Sequence, residues 1–207
     1  MTAMPSDAGT GASGSPLPPV SETPAPALPA PDEVLHFWFE ETKPAQWWQV
    51  DPAFDALIVQ RFSALHHAAA RSELDAWRTT AAGRLAEVIV LDQFSRNLQR
   101  GQAQAFAFDG MALALAQHAL ALGADHALPA AQRAFLYLPY MHSESRQVQR
   151  QSEALFVALG AESNLRAALQ HKAIIDRFGR YPHRNAVLGR KSSAEEEAFL
   201  LEPGSRF

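Results

Sequence analysis

The chain has 207 residues, 47% of them hydrophobic and 19% charged, with a formal net charge of −4 and no cysteine. That is enough chain for one ordinary core, and the charge offers no global attraction to nucleic acid or to an anionic membrane. Without cysteine there are no disulfides, thiolate nucleophiles, cysteine-based zinc sites or cysteine-ligated iron–sulfur clusters.

Residues 1–31 hold eight of the fourteen prolines, with glycine, serine and threonine between them and no aromatic residue. Such a stretch cannot bury enough apolar surface to offset its chain entropy, so it is expected to be a disordered tail, with a single all-helical domain over 32–207. It shows no basic segment followed by a continuous apolar run, so a secretory signal is not expected and the cytoplasm is the expected location. The run GMALALAQHALALG is short and interrupted by Gln117 and His118, which argues against a membrane span.

From Asp32 onward apolar residues recur at spacings of three and four, the helical pattern. DEVLHFWFE is read as a helix with Asp32 as its cap and an apolar stripe of Val34, Leu35, Trp38 and Phe39, ended by Lys43-Pro44. Asp51 followed by Pro52 opens a second helix that runs to about Ser72. A third is expected over 83–99 and a fourth over 103–122, closed by Gly101 and Gly123. The next starts at Pro129 and is kinked or ended by Pro139 before His142. Helices over 146–159, 163–178 and 193–201 complete the chain, the last with three glutamates in its first turn, where the helix dipole favours them. The fold class is therefore all-α: antiparallel helical hairpins, arranged as a bundle or as a superhelix.

Three polar stretches stand out from the alanine- and leucine-rich background. In RLAEVIVLDQFSRNLQRG, Asp92 and Arg96 are four residues apart and share a helical face, as do Gln93 and Asn97. In YLPYMHSES, His142 and Glu144 follow the Pro139 kink and are candidate acid–base groups, although no nucleophile elbow is present. In HKAIIDRFGRYPHRNAVLGR, a glycine and a proline turn present Arg180, His183, Arg184 and Asn185 around a helix start, where guanidinium forks and backbone N–H groups suit carboxylate or phosphate. Each stretch also has a plainer reading, as surface ion pairs, helix caps or ties between helix ends. No metal motif occurs, and His66 and His67 point about 100° apart on a helix, so neither a metal nor another cofactor is expected.

The segments VLHFWFE, WWQVDPAFDALIVQRF, GRLAEVIVLDQFSRNLQRG, AFAFD, YLPYMHSES, RFGRYPHRNAVLGR and FLLEPGSRF, in that order, resemble the bacterial family of unknown function DUF924. The resemblance runs from about Asp32 to Phe207 and implies a tetratricopeptide-like helical fold, without an established activity. One departure is Ser95, where the family usually has proline within DQF-Pro-Arg-Asn, so a helix break between Phe94 and Arg96 is in question here.

The reading that follows is a pocket for a small anionic molecule, a phosphate or carboxylate. Its candidate ligand-binding residues are Asp92, Arg96, Asn97, Arg177, Arg180, Arg184 and Asn185, and its candidate catalytic residues are His142, Glu144 and His183. Whether it is an enzyme stays open at this point. The alternatives are a tetratricopeptide-like module whose groove takes an acidic peptide, or a polar network that serves packing alone; nucleic-acid and membrane partners are not expected.

Overall fold

The computed structural model describes residue 2 and residues 27–205, and all the secondary structure among them is helical. The expected tail falls almost wholly outside the described residues. No helix among them is long and apolar enough to cross a membrane.

Helix α1, Pro31–His36, begins with proline at its first position, and its start is not capped by Asp32 as the sequence led us to expect. Glu33 reaches back instead to accept from the Ala30 N–H at 2.8 Å. A π turn, Phe37–Glu41, continues it and sends Phe37 and Trp38 into the core. The Trp38 carbonyl then accepts from Thr42 Oγ1 at 2.5 Å and from Trp47 Nε1 at 3.0 Å, which folds the following chain back onto the helix. Helix α2, Pro52–Ala70, has the expected Asp51 cap, whose carboxylate accepts from the N–H groups of Ala53 and Phe54.

Helix α3, Ala81–Ile89, is followed without a break by a π turn, Val90–Phe94, and by the short α4, Ser95–Leu98. The rod packs against α1, α2, α5 and α6 and is buried through its centre. Its start passes so close to the neighbouring chain that a Cβ at Gly83 would lie 2.0 Å from the Trp77 carbonyl oxygen. Ser95 does not break the helix. Its hydroxyl donates to the Leu91 carbonyl at 2.6 Å and accepts from Nε2 of the buried His66 at 2.8 Å.

The helix expected over 103–122 is divided: a 3₁₀ turn, Ala103–Phe106, precedes α5, Asp109–Ala121. The division brings the Phe106 ring beside two arginines and leaves Asp109 as the first residue of α5. Helix α6, Ala130–Met141, carries Pro139 in its last turn and stops before His142 as expected. It forms successive hairpins with α7, Arg146–Leu159, and α8, Glu162–Phe178, which end at Gly160 and Gly179 with φ of 74° and 71°. The loop after Gly179 crosses to α9, Ala194–Phe199, where Ser193 and Glu196 form a capping box.

Burial holds the His66 imidazole pKa down at about 4, with His67 adding to the effect. The unfolded ring takes a proton below its ordinary pKa of about 6.5, while the folded ring stays neutral, so stability falls as pH drops from there toward 4. Each pH unit in that window removes roughly 1.4 kcal/mol for such a ring. Urea unfolding at pH 7.5, 6 and 5 measures this loss. His66→Gln should remove one ring's share of the slope, with the buried His171, its pKa held at about 3, keeping its own; an unchanged slope would remove His66 from the acid response.

Candidate functional site

The polar residues meet where the π turn, the start of α5, the end of α6 and the loop after α8 converge. A straight α-helical ladder through Val90–Phe94 would set the flanking turns differently; the wider turn gives Asp92 its place on the inner face. Asp92 is 0% exposed. It accepts from His142 Nδ1 at 2.8 Å through Oδ1 and from Gln93 Nε2 at 2.6 Å through Oδ2. Arg96 Nη1 lies 3.3 Å from Asp92 Oδ1 and also donates to the Asp92 backbone carbonyl.

The same guanidinium reaches Asp109, with Nη1 3.1 Å from Oδ1 and Nη2 donating to Oδ2 at 3.2 Å. Arg184 Nη1 donates to Asp109 Oδ2 at 3.1 Å from the other side. Acid and base thus alternate along one chain of contacts, Asp92, Arg96, Asp109 and Arg184, whose formal charges cancel. Burial works against ionisation of Asp92, but Arg96 and His142 outweigh it and hold the carboxyl far below the usual carboxylate range. The His142 pKa also lies below that of free histidine: burial lowers it, Asp92 opposes this, and Arg96 lowers it further. The imidazole is therefore neutral at pH 7.

Arg184 is 5% exposed, with its guanidinium carbon 4.5 Å from the centroids of both the Phe106 and Tyr181 rings. Its Nε is buried and has no hydrogen-bond acceptor among the described residues. Arg184 and His142 border one cleft of about 320 Å³, with Asp109, Ser143 and Glu144 as further polar edges and Phe106, Leu113, Pro139 and Leu188 as apolar wall. A volume of this size lies at the small end of the range of small-molecule sites.

A second network pins the loop that carries Arg184. Glu144 accepts from the Tyr181 N–H at 2.8 Å and from both terminal nitrogens of Arg190 at 2.6 and 2.9 Å. Arg190 also donates to Asn185 Oδ1 at 3.0 Å and to the Tyr181 carbonyl at 3.1 Å. Arginine and the backbone thereby hold Glu144 ionised against the effect of its burial.

Of the residues singled out in the sequence, Asp92, Arg96, His142, Glu144 and Arg184 come together. Of the others, Asn97, Arg177 and Arg180 are engaged elsewhere, and His183 and Asn185 lie in the loop that carries Arg184. Asn97 donates to Asp55 at 2.8 Å, Arg177 pairs with Glu195 at 2.9 Å, and Arg180 pairs with the buried Glu196 at 2.6 Å. Asn185 serves the loop, donating to Ser192 Oγ at 3.0 Å, and the His183 ring lies beside Tyr181 with centroids 5.6 Å apart. Sequence reasoning missed Asp109, Phe106 and Arg190. AFAFD was visible as a distinctive stretch, but its aspartate lies 13 residues from Arg96 and 75 from Arg184, separations at which no local pattern pairs side chains.

A comparison with curated proteins finds no match. Among solved structures, the chain is similar to a protein of unknown function from Agrobacterium tumefaciens, with 39% identity and a TM-score of 0.79 over 83% of this chain and 96% of that one. The sequence model described as "Bacterial protein of unknown function (DUF924)" matches residues 34–204, which takes in every helix from α2 to α9 and every residue of the cleft. The chain belongs to the DUF924 family.

Proposed function

We propose that the cleft binds a small molecule bearing a carboxylate or phosphate, with Arg184 as its anchor. The observation that carries this reading is the state of Arg184: almost wholly buried and stacked between two rings, yet bonded to Asp109 through a single nitrogen, with no acceptor for Nε among the described residues. A buried guanidinium with unfilled donors is costly in an apolar wall, and an anionic oxygen entering the cleft would relieve that cost. Arg96 shares Asp109 with Arg184, so a ligand that draws Arg184 away would leave Asp109 still paired.

Thermal melting against inorganic phosphate, succinate, adipate and glutamate tests the reading. A ligand at about 100 times its Kd adds roughly 2.7 kcal/mol, a rise of several degrees in a domain of this size. Arg184→Gln should abolish the rise while remaining folded. If no compound shifts the wild type and Arg184→Gln melts much earlier, Arg184 is a packing element and the anion reading fails.

A further inference from the structure

We propose that Asp92 and His142 form a general-base dyad and that the cleft hydrolyses small carboxylic esters carrying a second, anionic carboxylate. The base rests on the geometry of the dyad itself, whereas the preference for an anionic ester rests on the anchor reading of Arg184.

A histidine works as a base when one ring nitrogen is fixed as donor and the other is left open. Asp92 is ionised and held from three sides, so it can only accept, and His142 Nδ1 must carry the hydrogen that bridges them at 2.8 Å. The lone pair is then on Nε2, which has no hydrogen-bond partner among the described residues, on a ring that borders the cleft. The carboxylate also stabilises the imidazolium that forms when Nε2 takes a proton. Arg96, then Asp109, Glu144 and Arg184 along the cleft, and the His171 ring, 6.3 Å away centroid to centroid, are other titratable groups around His142. A π turn that spends helical regularity on placing one buried aspartate is a feature found often at functional sites.

The nucleophile is water. The chain has no cysteine, and the nearest hydroxyl in sequence, Ser143 Oγ, accepts from the Ser145 N–H at 3.2 Å and makes no bond to His142. The oxygen of water forms a bond to the ester carbonyl carbon as its proton passes to Nε2 and the carbonyl π electrons move onto oxygen. When the C=O reforms, the bond to the alcohol oxygen breaks, and the imidazolium returns its proton to that oxygen. A carboxylic acid and an alcohol leave, no electron is gained or lost overall, and the dyad is restored. Arg184 holds the distal carboxylate throughout.

The test is hydrolysis of neutral 4-nitrophenyl acetate and of the anionic 4-nitrophenyl half-ester of adipic acid by the full chain. Wild type should favour the anionic ester by about tenfold or more in kcat/KM, the effect of one charged hydrogen-bonded contact. His142→Gln, checked for folding by its melting curve, should lose about a hundredfold or more on both esters. Arg184→Gln should bring the ratio between the esters close to one. The rate should rise with pH through one ionisation below pH 7, and Asp92→Asn should move that midpoint down, because the lost carboxylate no longer favours the imidazolium. Rates no higher than with heat-denatured protein, or an unaltered rate in folded His142→Gln, overturn the hydrolase. If adipate raises the melting temperature and neither ester is cleaved, the binding site stands and the dyad proposal is overturned. Cleavage of both esters without preference, and with no shift by adipate, supports the dyad and overturns the role given to Arg184.

Discussion

Replacing Asp92 by alanine is expected to destabilise the fold by about 3–5 kcal/mol, the usual effect of removing one partner from a buried ion pair. The magnitude follows from what is left behind. Arg96 keeps Asp109 but loses one of its two carboxylates, His142 Nδ1 loses its acceptor, and Gln93 Nε2 is stranded in the interior. Asp92→Asn should be milder, since its amide oxygen can still accept one of these donors. Urea unfolding followed by far-ultraviolet circular dichroism measures both. A loss below about 1 kcal/mol in Asp92→Ala would match an exposed ion pair and would contradict the central position given to this aspartate.

Trp38→Ala should have an effect of the same order, about 3–5 kcal/mol, for a different reason. The side chain is 1% exposed and meets Trp47, Phe54, Phe94 and Phe135 with ring centroids 5.5 to 6.2 Å apart. It joins the π turn after α1 to α2, α6 and the rod that holds Asp92, so its removal opens a cavity where four elements meet. At about 2–4 °C per kcal/mol for a chain of this length, the melting temperature should drop by roughly 10 °C. Trp38→Phe should lose much less, because the buried indole Nε1 has no acceptor among the described residues and its deletion strands no partner there. Equal losses in the two variants would place the importance of Trp38 in the indole itself and not in the filled volume.

Elements that carry the polar chain are fastened to the aromatic core within a few residues: Phe94 packs on Trp38 two positions after Asp92, and Tyr181 donates its hydroxyl to the Met141 carbonyl next to His142. Geometry at the cleft is thereby inherited from core packing, which is how a site gains precision on a helical scaffold.

Much of the helical architecture follows from local chemistry and was legible residue by residue. Asp51 followed by Pro52 is a cap and a preset first turn, Ser193 with Glu196 closes a capping box, and Gly160 and Gly179 stop helices at positions whose positive φ suits glycine. All of these depend on neighbours within four residues, and so does the pairing of Asp92 with Arg96. The two π turns were not legible, because a repeat of three and four tolerates one extra residue without changing which side chains are apolar. The division of 103–122 was hidden in the same way, since the alanine-rich run AQAFAF is equally compatible with continuous helix.

The sequence by itself determined the all-helical class, most helix boundaries, and the residue types from which a polar site could be built. Only the tertiary structure decided which of them meet. His142 reaches Asp92 across 50 residues and Arg184 reaches Asp109 across 75, while Arg177, Arg180 and Asn97, equally prominent in sequence, are taken up by Glu195, Glu196 and Asp55. The physical reason is that a buried charge must find a partner wherever packing puts one, and packing is set by helix crossings that no short window of sequence records.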